Sequence, residues 1–456
     1  MKIWIFLTVG VAGVANAQQT PATPTPGLTA QAIADTLPPD TTFHYAATLT
    51  MDQVVASALR YSPAVAQARG NVHSGLSNER VAYGAFLPNV IFNANALQQN
   101  AKSTPAAVNV GGPPSSIQYA PNAYWAGLSA SYDLFTGGRR PAEIAASKAV
   151  THAADASLVS QKYSTQLTAE ESAYGVLRSH DLVVVSMIRI QNAVRALDYA
   201  SANLRAGTAT RADVLQAQLA VEQARQAMIA SQDSLTANAY GLGRFVGVDG
   251  AVWVAGVDSV INFQLALPDS QIINVAVTGA PTVTAADQTA RSQRAFLDAA
   301  KTQYLPTITL SGGYNWANTS LNINSTRQGW LVEVGTAFPL FNGFVRENDV
   351  EQASINADVA RSAASDTHRF ARSQAEALLA NLRLSETGIR SAEVEVATAE
   401  ENLRVMFARY RNGVATFLDL TTAQLNEATS RTDLVTARYN YFITRVSLEA
   451  LLGRSL

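Results

Sequence analysis

A single displacement of 206 residues superposes two distant parts of this chain, and that duplication limits the fold more than any other feature. Residues 403–425, LRVMFARYRNGVATFLDLTTAQL, match residues 197–219. Leu204-Arg205-Ala206-Gly207 falls on Tyr410-Arg411-Asn412-Gly413, and Asp213 on Asp419. Ala217-Gln218-Leu219 falls on Ala423-Gln424-Leu425, and Gly247 on Gly453. The second copy reads as a helix, a tight turn at Asn412-Gly413 and a second helix carrying Asp419. A chain built this way is two copies of one unit, each with a helical hairpin tip.

Proline placement sets the length of the hairpins. There is none from 142 to 267 and none from 340 to the end. Each gap opens just after a glycine turn, Thr136-Gly137-Gly138 or Asn342-Gly343. Ala, Gln, Leu, Glu, Arg and Ser fill the gaps, and these residues mostly sustain a helix. The 69 residues from Gly138 to Gly207 would form a helix about 100 Å long, and the return limb to Gly247 one of about 60 Å. Such lengths call for coiled-coil packing. Leu403, Phe407 and Tyr410 keep a helical spacing. A long soluble coiled coil accounts for these helices but not for what precedes them.

A pair of candidate strands precedes each long helix, introduced by Phe86-Leu87-Pro88 and by Tyr304-Leu305-Pro306. In the second pair Ile308, Leu310, Tyr314 and Trp316 share one face, opposite Thr307, Thr309, Ser311 and Asn315. The partner strand puts Trp330, Val332, Val334 and Phe338 together, opposite Glu333 and Gly335. In the first pair Tyr124, Leu128, Tyr132 and Leu134 oppose Ser129, Ser131 and Asp133. This alternation predicts strands with one apolar and one polar face. Aromatic residues near strand ends fit a membrane-interface girdle; a sheet packed within its own domain is the alternative. The displacement between copies is 218 before the strand-joining loops and 206 after them, so the first loop is 12 residues longer.

The N-terminal segment predicts export. Lys2 is followed by an apolar run from Ile3 to Val14 and by Ala15-Asn16-Ala17, the pattern of a secretory signal peptide over residues 1–17. Residues 18–47, rich in Pro, Thr and Ala, read as an extended leader. The first repeat is placed at 48–247, with a helix start at Thr50-Met51-Asp52-Gln53. Its strands lie at about 88–100 and 123–135 and its tip at 205–210. Residues 248–268 form an equatorial link. The second repeat covers 269–456, with strands at about 306–317 and 329–340 and its tip at 411–416. No segment has 18 uninterrupted apolar residues, so membrane insertion would have to use strands.

Composition removes other classes. There are no cysteines, hence no disulfide, thiolate metal site or cysteine nucleophile. A net charge of −2 gives no basic face for nucleic acid. His44, His73, His152, His180 and His368 are scattered and form no compact metal motif. No P-loop, dinucleotide fingerprint or nucleophile elbow occurs, so neither an enzyme nor a cofactor is expected. The glycines at 241, 243 and 247 read as a helix end. Thr136-Gly137-Gly138-Arg139-Arg140 reads as a strand-to-helix turn, with arginines placed to meet lipid headgroups.

Four membrane strands cannot close a barrel, and an open edge in lipid leaves backbone groups unsatisfied. Several copies must share one barrel: two would give 8 strands and three would give 12, with more lumen in the larger.

The order and duplication of these features resemble the TolC family of outer-membrane efflux and secretion channels. The carriers are Leu49-Thr50, Ala58-Leu59 and Ser62-Pro63, the two strand entries, Leu134-Phe135-Thr136-Gly137-Gly138, Leu340-Phe341-Asn342-Gly343, and both tips. The resemblance implies an α+β membrane protein, a homotrimeric 12-stranded β-barrel continued by an α-helical periplasmic tunnel. It implies docking of the tips (Leu204, Arg205, Gly207, Arg411, Asn412 and Gly413) to a periplasmic adaptor, with an inner-membrane pump or ABC transporter supplying energy. It also implies a constriction at Asp213, Tyr410 and Asp419. Ala415 stands where the well-studied member has an arginine, and Thr422 where it has a second carboxylate, which points to a weaker lock. A helix-start role for Asp213 and Asp419 remains the alternative. The competing function is a non-transporting coiled-coil or adhesive protein of the outer membrane.

Overall fold

The computed structural model describes residues 44–98, 122–255, 263–318, 321 and 327–456. The signal peptide, most of the leader, most of both strand-joining loops and part of the link lie outside them.

The duplicated pattern becomes two hairpins of equal dimensions. Helix α1 (Met51–Tyr61) and helix α2 (Pro63–Gly84) open the first copy. Thr50 and Gln53 close the capping box that starts α1, with Gln53 Oε1 accepting from the Thr50 amide at 3.0 Å. Ser62 caps α2 and Pro63 occupies its first turn, where a missing N–H costs nothing. The long helix α3 (Arg139–Arg205) has 67 residues and its return limb α4 (Arg211–Val246) has 36. The second copy repeats this with α5 (Asp269–Gly279), α6 (Pro281–Lys301), α7 (Val345–Arg411) and α8 (Phe417–Leu452), the last two again of 67 and 36 residues. At 1.5 Å per residue the long helices reach about 100 Å. Both return limbs stop at a left-handed glycine, Gly247 and Gly453.

The long helices α3 and α7 run the whole length and change partners on the way. Near the sheet they pack on α2 and α6, and below on α4 and α8. Small residues let the backbones close in: Ala169, Ala173, Ala193, Ala196, Ala200, Ala217 and Ala224 are buried. At Gly75 on α2 a Cβ would stand 2.8 Å from Thr151 Oγ1 on α3, so only glycine allows that approach.

Four strands form one antiparallel sheet in the order β2-β3-β5-β6: β2 (Asn89–Gln98), β3 (Asn122–Phe135), β5 (Thr307–Asn318) and β6 (Arg327–Ala337). Register gathers Val90, Phe92, Tyr124, Leu128, Tyr132, Leu310, Tyr314, Trp316, Trp330, Val332 and Val334 on one face. The opposite face carries Asn93, Asn95, Ser129, Ser131, Asp133, Thr309, Ser311, Asn315 and Glu333. Phe92, Trp330, Val332 and Val334 are exposed, so much of the apolar face is uncovered, although Arg140 lies over the Tyr132 ring at 4.9 Å. β2 and β6 are open edges. The polar face also holds Ile91, Trp125 and Leu331, so the alternation is incomplete. The register shifts between Asp133 and Phe135: a bulge sets Phe135 opposite Ile308 and takes Leu134 out of the ladder.

The equatorial link contributes a feature the sequence hides. β4 (Val252–Ala255) pairs in parallel with β1 (Ala47–Thr50). Val252 and Val254 are buried in one cluster with Val176, Val183, Leu242 and Val246. Tyr439 on α8 donates to Asp181 on α3 at 2.8 Å, tying the repeats together at mid-length.

Candidate functional site

Each hairpin turns by the same two devices in series. In the first tip the Gly207 amide donates to Leu204 O at 3.1 Å and the Thr208 amide to Asn203 O at 2.9 Å, a Schellman closure. Gly207, with φ of 77°, holds its left-handed residue. Three residues on, Thr210 and Asp213 form a capping box: Asp213 Oδ2 accepts from the Thr210 amide at 2.8 Å, and Thr210 Oγ1 from the Asp213 amide at 3.2 Å. The second tip copies every bond. Gly413 donates to Tyr410 O and Val414 to Arg409 O; Thr416 and Asp419 close the box at 3.0 and 3.2 Å. Both carboxylates therefore occupy helix-start positions, where the helix dipole also favours them. The Thr416 hydroxyl and amide hold the Asp419 carboxyl below the ordinary carboxylate value.

The tips lean on each other. Asn203, buried at the end of α3, donates through Nδ2 to the Tyr410 carbonyl at 2.8 Å. That carbonyl already receives the Gly413 amide, so one oxygen serves both turns. The Tyr410 ring is buried with Phe407, Phe417 and Leu420 and lies 5.8 Å from the Phe417 ring. Its hydroxyl is buried and finds no hydrogen-bond partner among the described residues. Burial, and then the Asp213 charge, raise the phenol above its usual pKa, which puts Tyr410 within electrostatic reach of Asp213. Asp419 is exposed in the first turn of α8. Ala415 packs against the same apolar cluster, and Thr422 returns its hydroxyl to Leu418 O at 2.8 Å. Leu204, Arg205, Gly207, Arg411, Asn412 and Gly413 are all exposed at the tip.

Above the tips lies a polar clasp. Glu427 is buried on α8 and pairs with Arg431, whose other arm reaches Glu400 on α7 at 2.7 Å. Asn192 on α3 donates to Glu427 at 3.5 Å, and Gln424 donates to Asn192 O at 2.8 Å. A groove of about 480 Å³ beside it is lined by Arg195, Arg404, Arg411 and Arg431 together with Tyr199 and Phe407. Asn203, Asn192 and Glu427 escape sequence reasoning because the repeat places Arg409, Thr398 and Val221 at the matching positions. A polar residue inside an otherwise apolar helix stripe was the available signal.

Among the described residues no group of three or more His, Cys, Asp or Glu is placed to hold a metal ion, and no helix is long and apolar enough to cross a membrane.

Comparison with known proteins gives one family. The model described as outer membrane efflux protein matches residues 54–248 and 272–454. The outer membrane protein TolC of Escherichia coli (strain K12) is 26% identical over 162 residues, 33% of either chain. The alignment with that relative thus spans only a third of its length. Protein CyaE of Bordetella pertussis is 25% identical over 364 residues, 77% of this chain and 73% of that one. The crystal structure of the outer membrane protein VceC from Vibrio cholerae superposes with a TM-score of 0.73 at 18% identity, over 89% of this chain and 96% of that one.

Proposed function

The chain belongs to the outer membrane efflux protein family, and from that premise we propose that it is the outer-membrane exit duct of an efflux or secretion assembly. Three copies would pool their strands into one 12-stranded barrel, closing the open edges of β2 and β6. The apolar sheet face then meets outer-membrane lipid and the polar face lines the lumen. The hairpins continue the lumen as a tunnel through the periplasm. The observation that carries this reading is the pairing of a two-faced, open-edged sheet with two equal hairpins about 100 Å long.

The duct is passive. A periplasmic adaptor docks on the exposed tip residues, Leu204, Arg205, Gly207, Arg411, Asn412 and Gly413, and an inner-membrane pump or ABC transporter supplies the energy. Asp213, Tyr410 and Asp419 narrow the tunnel. Three symmetry-related Asp419 carboxylates would draw cations and repel anions. Opening parts the hairpins and breaks the Asn203–Tyr410 bond, so Asn203 joins the latch. The Tyr410 hydroxyl, unpartnered here, supports this reading: a side chain that bonds in only one state of a gate leaves its partner in the other.

Two measurements test the proposal. Deleting the gene should sensitise cells to exported compounds or abolish secretion of one protein; unchanged sensitivity and secretion under active expression would overturn the duct. In planar bilayers Asp419→Ala should lower cation selectivity, and Asn203→Leu should raise the open probability. No effect from either leaves Asp419 as a helix cap and Asn203 as a structural bond.

A further inference from the structure

The two strand-to-helix turns differ at a residue that backbone sterics should keep as glycine. α3 is entered through Gly138, φ 79°, and α7 through Phe344, φ 67°. The left-handed region penalises any residue with a Cβ, and Phe344 is the one non-glycine residue with positive φ among those described. Packing within the chain does not offset the strain. The Phe344 side chain is 69% exposed and meets Phe341, edge-on with centroids 5.4 Å apart, which is itself 74% exposed. Leu340 is 82% exposed, and Phe338 and Val345 are exposed too. Space does not explain the difference between repeats, because a Cβ on Gly138 would meet nothing within 4 Å. The side chain itself has to be what the strained turn serves.

The geometry points to residues 338–345 as an apolar ridge seated in the acyl region of the periplasmic leaflet. This rests on reading the four-stranded sheet as the membrane barrel. Phe338 continues the alternation of Trp330, Val332 and Val334, so the ridge prolongs the lipid-facing side of β6 beyond its last ladder pair. The turn's own charge is directed elsewhere: Arg346 lies over the Tyr304 ring at 4.3 Å, pairs with Glu347 at 2.7 Å and donates to Pro339 O at 3.2 Å. At the matching positions of the first repeat Leu134 and Phe135 are exposed as well, but Gly138 and Arg139, which pairs with Asp133 and Glu143, stand where the second repeat has Phe344 and Val345. In a closed barrel the larger apolar ridge of the second repeat would alternate around the rim with the smaller apolar patch of the first and fix its depth.

The absence of native cysteine makes the test direct. The variants Phe344→Cys, Val332→Cys and Val414→Cys, each with a nitroxide label, are reconstituted as full-length protein in phosphatidylethanolamine/phosphatidylglycerol vesicles. Collision with oxygen, which partitions into acyl chains, is compared with collision with a water-soluble nickel chelate. The label at 344 should match that at 332, with oxygen access several-fold above nickel access, and the tip label at 414 should show the reverse. Nickel access at 344, or low access to both, would overturn the ridge; the latter would mean a neighbouring copy covers it. Nickel access at both 332 and 344 would overturn the barrel reading as well. If Phe344→Cys does not assemble, Phe341→Cys on the same ridge carries the comparison.

Discussion

At Tyr410 the ring packs and the hydroxyl bonds to nothing, so the two parts of one side chain answer separate questions. Tyr410→Phe removes a buried, unpartnered polar atom and should leave stability in detergent within about 1 kcal/mol, or raise it slightly. A loss above that in thermal unfolding would show that the hydroxyl has a partner in the resting duct. Gly413→Ala should instead cost about 1 kcal/mol, because φ of 69° is penalised once a Cβ is present. Asp419 adds a pH dependence with a definite sign. Its carboxyl is held below its ordinary value by Thr416, so the cap contributes above that value and is lost as pH falls through the lowered one. A nitroxide on Val414→Cys should therefore loosen on acidification through the carboxylate range, and in a Thr416→Ala background it should be loose throughout. The carboxylates and the glycines were legible in the sequence, since the repeat marks both. Asn203 was not, because its counterpart is Arg409 and its bond runs to a main-chain carbonyl 207 residues away, which no spacing rule reaches.

Helices α3, α4, α7 and α8 show how far periodicity and punctuation carry. Long proline-free runs bounded by glycine turns gave the hairpins, and alternation gave most of each face of the sheet, with Ile91, Trp125 and Leu331 as exceptions. Two elements were beyond that reach. β1 and β4 are four-residue strands paired in parallel across some two hundred residues, and strands this short carry no periodic signal. The bulge at Leu134 depends on how β3 meets β5, not on β3 alone. The clasp at Glu427 belongs to the same scale, because it joins α3, α7 and α8. The first repeat solves the same position with a fully buried Val221. In both Glu427→Val and Glu427→Ala, Arg431 keeps Glu400, but valine fills the volume and alanine leaves a cavity, so Glu427→Val should be the better tolerated. We expect Glu427→Ala to cost about 2 kcal/mol more than Glu427→Val in chemical unfolding. Equal losses would mean that the ion pair, and not the filled volume, holds these helices together.

For the whole molecule, the exposed surface of α7 calls for a neighbour. Ile355, Val359, Phe370 and Leu384 are exposed, and at 100° per residue they fall within one stripe roughly 60° wide on the helix. Neither repeat covers that stripe, and at this distance below the sheet it does not lie in lipid. The equivalent places on α3 hold Ala149, Ala153, Ser164 and Arg178, so the two repeats present unlike flanks that can meet each other around a ring. A closed ring with such flanks is heterologous, one copy's second hairpin against the next copy's first. Each buried Phe or Leu there would contribute about 2 kcal/mol, and the stripe occurs once per copy. If the duct is the trimer proposed above, Phe370→Asp with Leu384→Asp should convert the detergent-extracted trimer to monomers by light scattering, while leaving the helix content of each chain unchanged. The same pair of changes at Val394 and Val405, which lie about 60° and 40° outside the edge of that stripe, should leave the assembly intact. A trimer that survives aspartate at 370 and 384 would place the hairpin contacts elsewhere and leave the barrel alone to hold the copies together.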